Sequence, residues 1–423
     1  MSRLNRWVHC VAAFAMVLVA WAPAGAAELL IRGATVHTVD TPGTLLAHDV
    51  HIRDGRIVAI GQGLSVGSGA TVIEAHGRPL TPGLFGGITG LGLEEISLEP
   101  STVDMTVVAA GAQRALDGLL RPEFDPRPAF NPDSPHIATA RAEGVTFALV
   151  APSPSPGNEL FAGLATMARL HAPRPALSGT QTLMLDLGAD ASGMGLSRAG
   201  QYMLLEQAIS EAQAATLAEG EQRLLSSAGR GVLKAQLAGG RIAFAVDRAS
   251  DIRQAIAFAA RFRAKVLIVG GAEAWREAQA LAAARIPVLI DPLGNLPQDL
   301  DQLGSTLENA ARLQAAGVPL VFTRPAEGTH SAHKVRQAAG NAVAHGLAWD
   351  AALAALTRNA AEAFGLGGEM GRIAPGMRAD LVLWSGDPLE VTTLADQVWM
   401  DGVTQPMQTR QSALRDRYLR GDR

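Results

Sequence analysis

The 423-residue chain contains one cysteine, Cys10, and it lies within the first 26 residues. That stretch has the composition of a secretory leader. Arg3 and Arg6 are followed by an uncharged apolar run from Val11 to Trp21, and Ala24-Gly25-Ala26 offers a small-x-small cleavage pattern. The run is too short to cross a bilayer stably. Residues 1–26 are therefore expected to be a signal peptide and the protein to be exported, to the periplasm or beyond. Cys10 precedes the apolar run, which does not suit a lipoprotein. Without residues 1–26 the chain has no thiol, which excludes disulfides, cysteine nucleophiles and thiolate metal sites.

Other scarcities narrow the field further. Lysine occurs three times, at Lys234, Lys265 and Lys334, and no histidine lies between His171 and His330. The net charge is −4, and loss of Arg3 and Arg6 would make it two units more acidic. Such a balance argues against nucleic acid or anionic membrane as a partner. No second long apolar run is present, so no membrane association is expected after leader cleavage. The complete spacing of a glycine-rich phosphate loop is missing, since Gly193-x-Gly195 lacks its third glycine. One Gly-x-Ser-x-Gly match, Gly63 to Gly67, lies between strand-like segments. A nucleophile elbow needs a strand before it and a helix after it, so this match reads as a loop.

What is present is strongly patterned. From Leu29 to Leu80 short strand-like segments alternate with turns, and Asp54-Gly55 marks a hairpin before Arg56 to Ile60. The middle of the chain alternates apolar strands with alanine-rich helices. Strands are expected at Leu84–Leu91, Val145–Val150, Thr182–Leu187, Ile242–Val246, Val266–Val269, Pro287–Ile290 and Pro319–Phe322. Helices are expected at Asp251–Arg263, Glu273–Ala284 and Leu307–Ala316, with Tyr202–Leu237 a longer helical crossover. Near-continuous apolar strands of this kind imply a parallel sheet covered by helices. The count approaches that of a (β/α)8 barrel, with an open doubly wound sheet as the rival. After Leu366 strand character returns at Arg378–Trp384 and Gln397–Gly402, so the two ends are expected to pair into one small β-sandwich. The fold class is α/β: a TIM-like barrel over residues 82–367, with sandwich segments at 27–81 and 368–423.

Two motifs carry a family resemblance. Asp54 to Gly61 followed by Gly77-Arg78-Pro79-Leu80-Thr81-Pro82-Gly83-Leu84 resembles the approach to an amidohydrolase barrel. Thr357-Arg358-Asn359-Ala360-Ala361 followed by Gly371 to Val382 resembles the exit. Taken together the chain is similar to the imidazolonepropionase-like amidohydrolases, a resemblance that implies hydrolysis of non-peptide carbon–nitrogen bonds at a metal centre. The metal ligands that the family implies are replaced here. Its first-strand His-x-His pair falls on Ile88 and Gly90, its next histidines on Ala245 and Gly270, and its last-strand aspartate on Arg324. None of these side chains is a zinc donor. No lysine sits clearly at a strand's C-terminal end to bridge two metals. The loss is large in energy. Zinc lowers the pKa of its bound water from 15.7 to about 7, roughly 12 kcal/mol of easier deprotonation, against about 3–5 kcal/mol for a single general base. No cofactor is therefore expected, with zinc reserved for the alternative that an atypical hydrolase site survives.

The remaining polar chemistry is expected at the C-terminal ends of the strands. Asp247, Asp291 and His330 are the candidate catalytic set. Glu94, Glu95, Glu273, Asn295 and Arg324 are candidate ligand-binding residues. Each also has a plainer role. Asp247 can serve a helix N-terminus with Asp251, Asp291-Pro292 can be turn chemistry, Glu273 a first-turn helix acid, and Glu94 and Glu95 solvated loop charges. His330 and His333 share a helical face and would need Asp247 and Asp291 to hold a metal; otherwise they are surface groups behind a Thr329 or Ser331 cap. Arg324 fits either a bound anion or an ion pair with one of these acids. The expected partner is a small-molecule ligand or a related amidohydrolase subunit.

Overall fold

A computed structural model describes residues 28–107, 120–154, 160–188, 196–216 and 223–419. The leader, Cys10 and the Gly193-x-Gly195 match lie outside the described residues. β1 (Glu28–His37) and β2 (Thr44–Arg53) form an antiparallel pair, and β3 (Arg56–Gly61) returns from β2 through Asp54 and Gly55. Both turn residues have positive φ, 53° and 76°, the backbone an Asp-Gly hairpin turn requires. β4 (Thr71–Glu74) and β5 (Pro79–Pro82) run parallel to β1.

The central sheet takes its strands in chain order: β6 (Leu84–Thr89), β7 (Val145–Val150), β8 (Phe161–Arg169), β9 (Ala176–Asp186), β10 (Arg241–Val246), β11 (Lys265–Gly270), β12 (Val288–Ile290) and β13 (Leu320–Phe322). Eight strands curl into a nearly closed TIM-like barrel. β6 and β7 are buried along their whole length, which explains their mostly apolar sequence, broken only by Thr89 and Thr146. The seam between β6 and β13 is joined by a hydrogen bond from the Ile88 N–H to Thr323 Oγ1, at 2.8 Å. Phe85, Phe147, Met184, Leu267 and Val321 fill the interior, and Phe85 lies 5.3 Å from Phe147 between ring centroids.

One strand departs from the expected alternation. β8 runs antiparallel to both β7 and β9. A parallel crossover needs a dozen or more residues, usually a helix, and the connection from Ala151 to Leu160 is shorter than that. The chain therefore turns back on itself, and between the expected strands Val145–Val150 and Thr182–Leu187 it inserts one more, antiparallel to both neighbours.

α1 (Pro135–Ala142) precedes β7, and α2 (Arg198–Gln213) and α3 (Ser227–Leu237) make the expected crossover between β9 and β10. α4 (Ala249–Arg261), α5 (Ala278–Ala284) and α6 (Asn309–Ala315) follow β10, β11 and β12. On α4 the spacing of Ile252, Ala255 and Phe258 gives one buried face, and Phe258 meets Phe244 edge-on at 5.0 Å. α7 (Val335–Ala344), α8 (Trp349–Ala355) and α9 (Arg358–Ala363) lead out of the barrel.

The C-terminal strands β14 (Leu381–Trp384), β15 (Ala395–Met400) and β16 (Val403–Thr404) complete the first sheet. β14 pairs antiparallel with β5, so Leu383 faces Leu80 and Leu381 faces Pro82. The two ends of the chain thus meet in one eight-stranded, hydrogen-bonded sheet. That sheet is tied to the barrel by charge. From the end of β8, Arg169 donates to both oxygens of Asp380, at 2.8 and 2.9 Å, and to Asp401, at 2.9 Å. Asp401 also accepts from Arg378 at 2.8 Å, and its own N–H donates to Asp380.

Asp380 is 4 % exposed, so removing its partner would strand a buried charge. Arg169→Met is expected to cost about 3–5 kcal/mol in urea unfolding, and Arg169→Met/Asp380→Asn to recover part of it. A single-variant cost near zero would show that the cluster is not structural. Burial also pushes His37, His171 and His333 below their ordinary value of 6.5, with Arg169 adding to the effect at His171. A depressed pKa favours the neutral folded form. Stability is therefore expected to be full above about pH 6.5 and to fall as the pH drops below it, measurable as a declining melting temperature.

Candidate functional site

The apolar strands β10 to β13 end at one mouth of the barrel, and their next residues are polar or glycine: Asp247, Gly271, Asp291 and Thr323-Arg324. A cavity of about 280 Å³ opens among them, lined by Ala245, Asp247, Gly270, Asp291, Gln302 and Asn309, among others. A smaller cavity of about 70 Å³ lies beside it, bounded by Thr89, Gly90, Glu94, Met105, Arg324 and Thr329. Pro325 borders both.

Asp247 lines the larger cavity, and its carboxylate is engaged by the protein. Oδ1 accepts from the Ala272 N–H and Oδ2 from Gln302 Nε2, each at 2.9 Å. A Cβ at Gly270 would lie 2.7 Å from Asp247 Oδ1, and Gly270 has φ +90°. The carboxylate thus fills the space a side chain at 270 would need. Asp291 both accepts from the Leu293 N–H, at 3.0 Å, and pairs with Arg324 Nε, at 3.2 Å from each oxygen. It is turn residue and ion-pair partner at once. Arg324 also donates to Glu327 at 2.8 Å. Of its two sequence readings the ion pair is the one formed, and the Arg324 side chain is only 14 % exposed.

The other candidates spread over the rim. Glu273 accepts from the Ala249 N–H at 3.0 Å, so it serves the first turn of α4 rather than its own helix. Glu94 accepts from the Thr329 hydroxyl and borders the small cavity. Glu95 is not a solvated loop charge: it accepts from Asn131 Nδ2 at 2.9 Å and Ser134 Oγ at 3.0 Å, just before α1. Asn295 is exposed and lines neither cavity. His330 is exposed too, with its ring 6.5 Å from that of His136, and lines neither cavity. The expectation that His330 faces the pocket with Asp247 and Asp291 is therefore corrected. Thr329 and Ser331 are buried and draw the short helical segment Thr329–Lys334 inward, which leaves His330 pointing out.

Sequence reasoning passed over Gln302, Asn309, Asp299 and Asp301, all on the stretch after β12. Its signal was length. From Asp291 to Glu308 the chain has a single short 3-10 turn, and long connections of that kind tend to carry function. Asp301 is held by Arg198, which also donates to Asp251 at 3.2 Å. Burial, with Asp251 nearby, pushes the Tyr202 phenol strongly upward, so it stays a donor to Asp251.

The family's metal positions are occupied by packing groups. Ile88 is buried in the barrel interior. A Cβ at Gly90 would collide with Met105 Sδ and lie 2.7 Å from Thr329 Oγ1. Ala245, Gly270 and Arg324 have no zinc-donor chemistry. Among the described residues, no group of three or more His, Cys, Asp or Glu is arranged to hold a metal ion. The residues present do not fit zinc.

Comparison with known proteins identifies the fold. Residues 323–405 match a family model described as the amidohydrolase family. An amidohydrolase of Hapsidospora irregularis is 44% identical over 61 residues, covering 14% of this chain and 6% of that protein. An imidazolonepropionase of Chromobacterium violaceum is 45% identical over 75 residues, covering 17% of this chain and 18% of that protein. The matched regions thus span less than a fifth of these relatives. Among solved structures, an amidohydrolase from Thermotoga maritima superposes with a TM-score of 0.76 at 24% identity, covering 89% of this chain and 99% of that one. A molinate hydrolase superposes at 0.52 with 14% identity, covering 90% and 95%. The chain has the amidohydrolase fold, and its C-terminal part resembles amidohydrolases in sequence as well.

Restoring the histidines alone should fail to restore a metal site. Ile88→His/Gly90→His is expected to lose about 1–3 kcal/mol from overpacking against Met105 and Thr329. Calorimetric titration should then detect no tight zinc binding. Stoichiometric uptake by the folded double variant would show that the surrounding shell is intact after all.

Proposed function

We propose that this amidohydrolase-fold chain is an exported protein that binds a small molecule at its barrel mouth, without the metal-hydroxide chemistry characteristic of the family. The observation that carries the reading is the pairing of Arg324 with Asp291. Where the family's last strand supplies an acid to the metal, this chain supplies a cation, and a neighbouring carboxylate already neutralises it. Beside that pair lies a formed, partly polar cavity of about 280 Å³. Small-molecule sites are concave, with few convergent polar groups, and barrels place them at this end. A related amidohydrolase subunit remains a further partner consistent with the fold.

One observation favours a second reading, a hydrolase of carbon–nitrogen bonds in cyclic amides or small N-acyl compounds. Asp247 and Asp291 both border the cavity, and the named relatives include an imidazolonepropionase. In that case a carboxylate would have to act as general base. Asp247 and Asp291 both spend their oxygens on protein donors, which favours the binding reading.

Elemental analysis of the purified protein, a melting-temperature screen of small metabolites and a hydrolysis screen with and without chelator separate the two. The binding reading expects substoichiometric metal, no turnover, and ligands that raise the melting temperature. At a hundredfold excess over Kd a ligand adds about 2.7 kcal/mol. Stoichiometric zinc with chelator-sensitive turnover would overturn this reading. Turnover that survives chelator and disappears in Asp291→Asn would establish the second.

A further inference from the structure

The last helix, α10 (Arg410–Leu419), has no buried residue. Thr409 and Ser412 cap its start reciprocally. The Ser412 N–H donates to Thr409 Oγ1 at 3.1 Å, and the Thr409 N–H to Ser412 Oγ at 2.8 Å. A cap begins a helix, but one of ten residues is marginal in water unless something covers a face of it. Leu414 and Tyr418 stand a turn apart on one face, 40 % and 78 % exposed, with Arg410 and Arg417 beside them. Arg415 is spent on Asp416, whereas Arg410 and Arg417 have no ion pair among the described residues.

The connection after β6 has the opposite charge. From Leu91 to Val107 it holds Glu94, Glu95, Glu99 and Asp104 and no lysine, arginine or histidine. Its tip is apolar and uncovered, with Ile96 59 % exposed and Leu98 92 %. Glu99 and Asp104 are exposed and have no ion pair among the described residues. Glu99 accepts from both the hydroxyl and the N–H of Ser101, which holds its carboxyl below the ordinary range and keeps it anionic.

Both surfaces attach to the same face of α1. His136 Nε2 donates to the Glu95 carbonyl at 2.9 Å, and the Thr139 hydroxyl reaches Gln411 Oε1 at 3.4 Å. Positions three apart are neighbours on a helix surface, about 5–6 Å from each other. A basic apolar patch and an acidic apolar patch thus lie side by side. Charge then decides how two copies can meet there. Helix against helix opposes arginines, and connection against connection opposes carboxylates. Only helix against connection pairs opposite signs. Because each protomer carries both patches, that contact is made twice about a twofold axis, which closes the assembly.

We propose that this face is the interface of a twofold dimer, in which Leu414, Arg417 and Tyr418 of one copy pack on Ile96, Leu98 and Glu99 of the other, and the reverse. The pairing does not depend on what the barrel mouth binds.

Sedimentation velocity of the purified protein across micromolar concentrations tests it. The expected result is a dimer that dissociates as salt rises. Leu414→Glu/Tyr418→Glu makes the helix acidic, and Ile96→Arg/Leu98→Arg makes the connection basic. All four positions are exposed, so both variants are expected to fold, which circular dichroism checks. Each alone should weaken the dimer about tenfold or more, because its altered surface now repels its partner surface. Arg410→Glu/Arg417→Glu, which leaves the apolar side chains in place, should weaken it as well. Mixed in equal amounts, the first two variants should recover a dimer: the acidic helix meets the basic connection, and the two unaltered surfaces meet each other. A wild-type protein that stays monomeric overturns the proposal. A helix variant or a connection variant that still dimerises on its own overturns it too, since the contact then lies elsewhere. So does a mixture that stays monomeric after each variant has lost the dimer.

Discussion

Arg169 holds the two sheets together. Its guanidinium reaches from the end of β8 to Asp380 and Asp401, which belong to the segments flanking β14 and β15. β15 pairs with β14, and β14 with β5, the strand that leads straight into β6 and the barrel. One cation therefore closes a loop of connections running from the first sheet, through the barrel, and back. Nη2 serves both oxygens of Asp380 while Nη1 reaches Asp401, so the planar guanidinium bridges two carboxylates with separate nitrogens, which a lysine ammonium cannot do. Because Asp380 is almost fully buried, the cluster acts less as a source of net stability than as a condition on it. Any arrangement that separates the two sheets leaves a carboxylate in an apolar setting.

That tie explains why the hairpin of β8 and β9 is tolerated in the barrel. Reversing one strand removes a covering helix and would leave its outer face thinly protected. β8 is nonetheless buried at eight of its nine positions. Part of that cover comes from the segment at Arg121–Phe124, whose Phe124 carbonyl accepts the Leu164 N–H at 2.8 Å. The close approach requires Gly163, where a Cβ would collide with Phe124 at about 2.5 Å, and Gly163 accordingly has φ +122°.

Much of this architecture was legible in the sequence, for identifiable reasons. β6, β7 and β10 to β13 are short apolar runs between helical segments, and periodicity reads such runs well. The pairing of the chain's two ends followed from the need to cover β edges at each terminus. β8 was not legible, because Phe161 to Arg169 mixes glycine, alanine and threonine with its apolar residues and has no helix before it. At the site, the substitution of each family metal ligand needed only residue identity. The fates of the candidate residues did not follow from identity. Whether Asp247 points at a ligand or at the Ala272 N–H depends on how β10 and β11 register, and Val246 faces Gly270 in that ladder. His330 shows the same limit from the other side. Its chemistry suggested a pocket residue, but the burial of its neighbours Thr329 and Ser331 sets its direction.

The mouth of the barrel is fastened by side chains that link separate strand ends to one another. Asp247 ties the end of β10 to the backbone after β11 and, through Gln302, to the long connection after β12. Asp291 ties the end of β12 to Arg324 after β13. Thr323, next to Arg324, ties β13 to β6 across the seam through the Ile88 N–H. Together these links run from β10 around to β6. A mouth fastened in this way is held rigid by carboxylates whose oxygens accept from the protein's own donors. Asn309 is the exception: its nitrogen is part of the frame and its oxygen is not.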